Sequence, residues 1–227
     1  MKTIKLIECP RDALQSYNTP VSTQMKIDYY QMLLKVGFHT LDCGSFVSPK
    51  VIPQMADTDE VIQSLDLSKS KTKLLTIVAN LVGAEKAVKF KKISYLGYPF
   101  SVSENFQVRN TGKTINESLF ILKQIINLAA SNNKELVVYL SMGFGNPYGD
   151  PWNTSIIKKW VDNLVDLGVQ IISLSDTIGN AKIKDIESLF NDLILAYPKL
   201  EFGSHFHAHP EQWLNKINTA YLAGCRR

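Results

Sequence analysis

Short apolar runs, many of them β-branched, recur along the chain at 3–8, 39–43, 73–79, 92–96, 135–141, 170–175 and 200–205. Each has the length of a buried strand. Between them the apolar positions change to helical spacing. Ile156, Ile157, Trp160, Val161, Leu164 and Leu167 recur at three- and four-residue steps and stop at Gly168. Ser22 predicts the N-cap of a helix running towards Val36, with Gly37 as its stop. Thr114 and Glu117 have the spacing of a capping box ahead of a helix that continues to about Ala130. Further helical patterns cover 183–195 and 211–222.

Short strands alternating with helices predict an α/β protein with a parallel sheet and crossover helices. The polar residues at the strand ends narrow this. Arg11 and Asp12 follow the first run, Asp42 and Ser45 the second, Asn80 the third and Ser141 the fifth. Asp176 follows the sixth, and three histidines follow the seventh. Polar groups delivered by many strand ends to one face favour a (β/α)8 TIM barrel. The competing doubly wound sheet loses ground because no Gly-x-Gly-x-x-Gly follows the first strand. Only seven strands can be counted, so the expected barrel is incomplete, with seven strand–helix units. No low-complexity stretch or linker divides the chain, and residues 1–227 are expected to form one catalytic domain, incomplete at its C-terminal end.

Composition adds exclusions. With 45% hydrophobic residues and a net charge of +4, the chain can bury a substantial core and carries no basic stripe for nucleic acid. The lysine runs at 69–73 and 89–92 read as solvated turns. No apolar stretch reaches the roughly 18–20 residues needed to span a bilayer, so no membrane partner is expected. The first residues, Met1 to Ile7, run into a strand pattern and not into a leader peptide. Cys9, Cys43 and Cys225, an odd number without framework spacing, fit a reducing, cytoplasmic setting.

The candidate chemistry centres on Gly203-Ser204-His205-Phe206-His207-Ala208-His209. On a strand, His205 and His207 share a face, about 6–7 Å apart, while Phe206 points away. Two such imidazoles can share a divalent metal, although unliganded histidines at a core edge have the same pattern. Asp12, at the mouth of the first strand, would add a carboxylate and make a mixed O/N site suited to Mg²⁺, Mn²⁺ or Zn²⁺.

Four segments then carry a resemblance. Ile7-Glu8-Cys9-Pro10-Arg11-Asp12-Ala13-Leu14-Gln15 is the first, and Ser45-Phe46-Val47-Ser48-Pro49-Lys50 with Pro53-Gln54-Met55 is the second. Ser173-Leu174-Ser175-Asp176-Thr177-Ile178-Gly179 and His205-Phe206-His207 complete the set. In this order they resemble the 3-hydroxy-3-methylglutaryl-CoA lyases, within the wider group of metal-dependent barrel lyases and synthases. The Arg-Asp and His-x-His motifs are common to that group, whereas the 45–55 block is particular to the lyases.

The resemblance implies a divalent cation, Mg²⁺ or Mn²⁺, an acyl-CoA substrate, and retro-Claisen cleavage to acetyl-CoA and acetoacetate. It implies Asp12, His205 and His207 as metal ligands and Arg11 as the positive partner of the enolate oxygen. Asp42, Asp176 and His205 would act as further catalytic groups, with Gln15 and Ser45 lining the substrate. It also implies a homodimer and a place in leucine breakdown. Asp42 stands where the family has Glu, and Ala208 where an Asp is usual. Cys9 and Ala13 replace glycines. The family's eighth strand, its Gly-Gly-Cys-Pro loop and a further Asn ligand have no counterpart before Arg227. On that ground the chain is expected to bind metal weakly and to show little or no lyase activity. Competing readings are a non-catalytic metal- or acyl-CoA-binding remnant, a condensing enzyme for acetyl-CoA and a 2-oxo acid, and a zinc hydrolase.

Overall fold

The computed structural model describes residues 3–227. Met1 and Lys2, the first two residues of the stretch read for a leader, lie outside them. Among the described residues seven strands follow one another in chain order. They are β1 (Ile7–Glu8), β2 (Thr40–Ser45), β3 (Lys73–Ile77), β4 (Ile93–Ser101), β5 (Glu135–Ser141), β6 (Ile171–Asp176) and β7 (Glu201–Phe206). The helices are α1 (Pro10–Gln15), α2 (Thr23–Val36), α3 (Thr58–Ser64), α4 (Leu81–Ala87) and α5 (Glu104–Thr111). They continue with α6 (Ile115–Ser131), α7 (Thr154–Asp166), α8 (Ile183–Ala196) and α9 (Trp213–Leu222). Every strand is followed by a helix, which makes the chain an incomplete (β/α)8 barrel with seven strand–helix units among the described residues. No helix is long and apolar enough to cross a membrane among those residues.

The residues form two compact units. The first comprises Lys5–Tyr98 and Gln124–Leu136. In it β1, β2, β3 and β4 pair in parallel, and Leu41, Leu74, Leu75 and Leu96 are buried with Tyr30 and Leu34 of α2. The local signals act as expected. Ser22 Oγ accepts the Met25 N–H at 3.3 Å, and Gly37 closes α2 at φ 89°, a conformation that costs any residue with a Cβ.

β1 is shorter than the apolar run that suggested it. Leu6 is 62% exposed, and pairing begins only where its carbonyl accepts the His39 N–H at 2.9 Å. β2 extends two residues further than expected, so Ser45, read as following the strand, is its last residue, and Asp42 lies inside it. β4 also runs on, beyond the expected end at Leu96 and through Gly97 and Pro99 to Ser101. The Gly97 carbonyl accepts the Val78 N–H at 2.9 Å.

The second unit comprises Pro99–Lys123 and Val137–Arg227, with Thr3 and Ile4. Here β5, β6 and β7 pair in parallel. Ile157, Val161 and Leu164 of α7 and Ile186, Leu189, Phe190 and Leu193 of α8 are fully buried. Burial of each such side chain favours folding by roughly 1.5–3 kcal/mol. The capping box ahead of α6 is present. Thr114 N–H donates to Glu117 Oε2 at 2.8 Å, and Glu117 N–H donates to Thr114 Oγ1 at 3.2 Å. Gly168 ends the α7 segment at φ 93°.

Candidate functional site

In the first unit the predicted residues gather on α1 and β2. Pro10 opens α1, where its fixed φ suits the first helical turn and its missing N–H costs nothing. That turn carries Arg11 and Asp12, so both lie in a helix and not in a strand-end loop. Asp42 is fully buried and Arg11 is 6% exposed. Arg11 Nε donates to the two Asp42 oxygens at 3.2 and 3.1 Å, and Nη2 donates to Oδ2 at 2.6 Å. The remaining arm, Nη1, donates to Asp12 Oδ1 and to Gln15 Oε1, both at 2.9 Å. Gln15 Nε2 closes the triangle on Asp12 Oδ1 at 3.1 Å. Four of the predicted residues therefore form one network.

Arginine suits this arrangement because its planar fork pairs with a carboxylate and still has donors left over. A buried ion pair persists only when its hydrogen bonds are made, and here three reach Asp42. The two nearby cysteines are chemically quiet. Burial, reinforced by the Asp42 charge, pushes the Cys9 and Cys43 thiols well above their ordinary range, which keeps them from becoming nucleophilic thiolates.

Ser45 sits apart from this network. It is buried, and its hydroxyl accepts the Val47 N–H at 3.3 Å, so it shapes the segment that follows β2. That segment is fastened by side chains. Thr58 Oγ1 accepts the Ser45 N–H at 3.1 Å and donates to the Met55 carbonyl at 2.8 Å. Lys26 donates to both Asp57 oxygens, at 2.8 and 3.0 Å, and to the Gln54 carbonyl. Gln54 Oε1 accepts the Val21 N–H at 2.9 Å, while its Nε2 donates to the carbonyls of Tyr17 and Thr19 at 3.2 and 3.0 Å. Lys50 is exposed, and Asn80 caps α4 by accepting the Gly83 N–H at 2.8 Å.

In the second unit the predicted residues lie at the ends of β6 and β7. Strand alternation decides which way β7 presents its side chains. Phe206 packs edge-on against Phe144 and Phe190, with centroids at 5.6 and 6.5 Å. The His205 and His207 rings lie 5.4 Å apart, and His205 stands edge-on to Tyr139 at 5.3 Å. His207 is exposed and His205 half-buried. His209 is exposed, and its carbonyl accepts the N–H groups of Gln212 and Trp213 at 2.9 and 3.3 Å, ahead of α9.

Asp176, the last residue of β6, is fully buried. Its Oδ1 accepts the Ala181 N–H at 3.1 Å, and its Oδ2 accepts from Lys216 Nζ at 2.7 Å. Sequence reasoning missed Lys216, because a lysine on an amphipathic helix reads as a solvated residue. Thr177 Oγ1 accepts the Met142 N–H at 2.8 Å, which ties this turn to the loop after β5, where Met142 takes a positive φ of 57°. A cavity of about 340 Å³ opens beside the turn, lined by Asn180, Lys182, Gln212, Asn215 and Lys216 among others.

Comparison with known proteins places this chemistry. The HMGL-like family model matches residues 4–227. The hydroxymethylglutaryl-CoA lyase YngG of Bacillus subtilis is 33% identical over 95% of this chain and 71% of its own length. The mitochondrial hydroxymethylglutaryl-CoA lyase of Arabidopsis thaliana is 31% identical over 98% of this chain and 47% of its own length. Thus the chain spans about half to three quarters of the length of the curated relatives it matches. The crystal structure of the B. subtilis HMG-CoA lyase superposes with a TM-score of 0.93 at 30% identity, covering 100% of this chain and 76% of that one. An HMG-CoA lyase from Acinetobacter baumannii, solved with coenzyme A and 3-methylmalate, gives 0.91 at 27% identity, covering 99% of this chain and 73% of that one. Pyruvate carboxylase from Rhizobium etli, at 17% identity and a TM-score of 0.73, shares the fold. With Arg11-Asp12 and His205-x-His207 standing in one matched stretch from residue 4 to residue 227, the chain belongs to the HMGL-like family, among the hydroxymethylglutaryl-CoA lyases.

Proposed function

We propose that residues 1–227 belong to one catalytic domain, incomplete at its C-terminal end, for cleaving 3-hydroxy-3-methylglutaryl-CoA to acetyl-CoA and acetoacetate, an activity that the 227-residue chain by itself is expected to show only weakly. The family match over residues 4–227 carries this reading. In the reaction the tertiary hydroxyl loses its proton, the bond between C2 and C3 breaks, and its electron pair passes to C2 as the enolate of acetyl-CoA. That carbon then takes up a proton.

Asp12, His205 and His207 are the proposed ligands of a divalent cation, Mg²⁺ or Mn²⁺. One carboxylate and two imidazoles fit such an ion, and these three residues are half-buried or exposed, not sealed in the core. When bound, the cation supplies positive charge that acidifies the substrate hydroxyl. Arg11 is the proposed partner of the enolate oxygen. Its Nη1 arm already spans two side-chain acceptors, and a donor held in place before the reaction needs no reorganisation when charge develops. Asp42 keeps that guanidinium in position. His205 is the proposed catalytic histidine, and Gln15 lines the substrate. Ser45 contributes through the turn it shapes, and Asp176 orients its surroundings. We read the setting as cytoplasmic leucine breakdown by a homodimer, as the family resemblance implies.

Acetoacetate release from 3-hydroxy-3-methylglutaryl-CoA, measured with Mg²⁺, with Mn²⁺ and after chelation, tests the proposal. Metal-dependent release that disappears in Arg11→Ala is expected. Condensation of acetyl-CoA with a 2-oxo acid would overturn it in favour of a synthase. Acyl-CoA binding without turnover would leave only the binding role.

A further inference from the structure

Lys216 lies on α9 and is 2% exposed. A lysine so buried must have its charge met. Its ammonium donates to Asp176 Oδ2 at 2.7 Å and to the Gly179 carbonyl at 2.8 Å, and so clasps both ends of the turn that follows β6. That turn touches the main chain of His207 at two points. The Asp176 carbonyl accepts the His207 N–H at 3.3 Å and the Gly179 N–H at 3.1 Å. Gly179 takes a φ of +72°, and a Cβ added there would stand 3.1 Å from the His207 carbonyl oxygen. The bond to His207 is long and between neutral groups. The bond from Lys216 to Asp176 is charge-assisted, and such bonds are roughly twice as strong.

We propose that Lys216 is a positioning residue for His207, acting through the Asp176–Gly179 turn. The consequence for metal binding rests on reading His207 as a ligand; the mechanical role does not. Both Asp176 oxygens are engaged and the residue has no exposed surface, so its task is to anchor this turn and not to carry a proton to or from substrate.

Backbone amide exchange, read by NMR on the full chain without added metal, tests the role directly. In Lys216→Met/Asp176→Asn, which leaves no buried charge unpaired, the amides of His207 and Gly179 should exchange roughly tenfold faster or more, measured against those of Ile172 and Leu174 inside β6. The loss is selective there because the Gly179 carbonyl and the residue 176 side chain have lost their donor. Unchanged exchange at His207, or equal acceleration at every amide, would overturn the proposal. Mn²⁺ affinity, followed by electron paramagnetic resonance, should fall about 10–100-fold in Lys216→Met. A control separates the two readings. If His207→Ala leaves Mn²⁺ affinity intact, the metal assignment fails, while the exchange data still decide what Lys216 does.

Discussion

Two buried carboxylates, one in each unit, are met by cations in different ways. Asp42 faces a guanidinium that grips it with two nitrogens and extends its third to the side chains of Asp12 and Gln15. Asp176 faces an ammonium whose second bond goes to a main-chain carbonyl. The first pair therefore orders other side chains, and the second fixes the path of the backbone. A buried ion pair can serve either purpose, and the second partner of the cation shows which.

The largest expected effect concerns the pairs themselves. Arg11→Met and Lys216→Met each withdraw the cation from a fully buried carboxylate and should destabilise the fold by about 3–5 kcal/mol, read from urea midpoints. Neutralising the carboxylate as well, in Arg11→Met/Asp42→Asn, should recover most of that stability without recovering turnover. If turnover also returned, the distinction between the two pairs would collapse.

Arg11→Lys separates charge from geometry. An ammonium cannot reproduce the fork, so kcat should fall on the order of 10²–10³ while the urea midpoint moves far less than in Arg11→Met. A loss confined to KM would assign Arg11 to uniform substrate binding.

The glycines beyond each aspartate sharpen the contrast. A Cβ on Gly44 would lie 2.5 Å from Thr58 Cγ2, so Gly44→Ala should cost about 1–3 kcal/mol. Thr58→Ser, which deletes that methyl and keeps the hydroxyl, should relieve most of the cost in a double-mutant cycle. Gly179→Ala should cost about 1–2 kcal/mol through its left-handed backbone, with no methyl to remove in compensation. Thermal unfolding of the four variants measures both.

Much of the scaffold was legible because its signals are local. Ser22, Gly37, Thr114 with Glu117, and Gly168 each act within a few residues of themselves, and each marks the helix boundary expected of it. The edges that moved are those where local chemistry was outvoted. β4 continues past Leu96 because Gly97 still pairs with Ile77 of β3, and Leu6 stays outside β1 although it is apolar. The site was legible as residue types, Arg-Asp and His-x-His, but the partnerships were not. Arg11 meets Asp42 across 31 residues, and Asp176 meets Lys216 across 40. No periodicity carries that information.

A surface carboxylate in the second unit gives the smallest effect and a control. Hydrogen bonds from Ser103 Oγ and from Asn105 hold the Asp150 carboxyl below its ordinary value. A lowered pKa means that the stabilisation is present above the unfolded-state value and is lost as pH falls through the folded one. Ser103→Ala should move the Asp150 titration, followed by carbon NMR, back upward. No change would place the cause in Asn105 alone.

One amide has a consequence outside catalysis. The side chain of Gln54 takes the main-chain groups of Tyr17, Thr19 and Val21, a stretch that belongs to neither α1 nor α2. Proteases cleave segments that can leave the folded surface, and Tyr17, 60% exposed, offers an aromatic cleavage site. Shortening Gln54 to alanine should turn this connection into the first point of chymotryptic attack, a nick that would sever Arg11 and Asp12 from the rest of the chain.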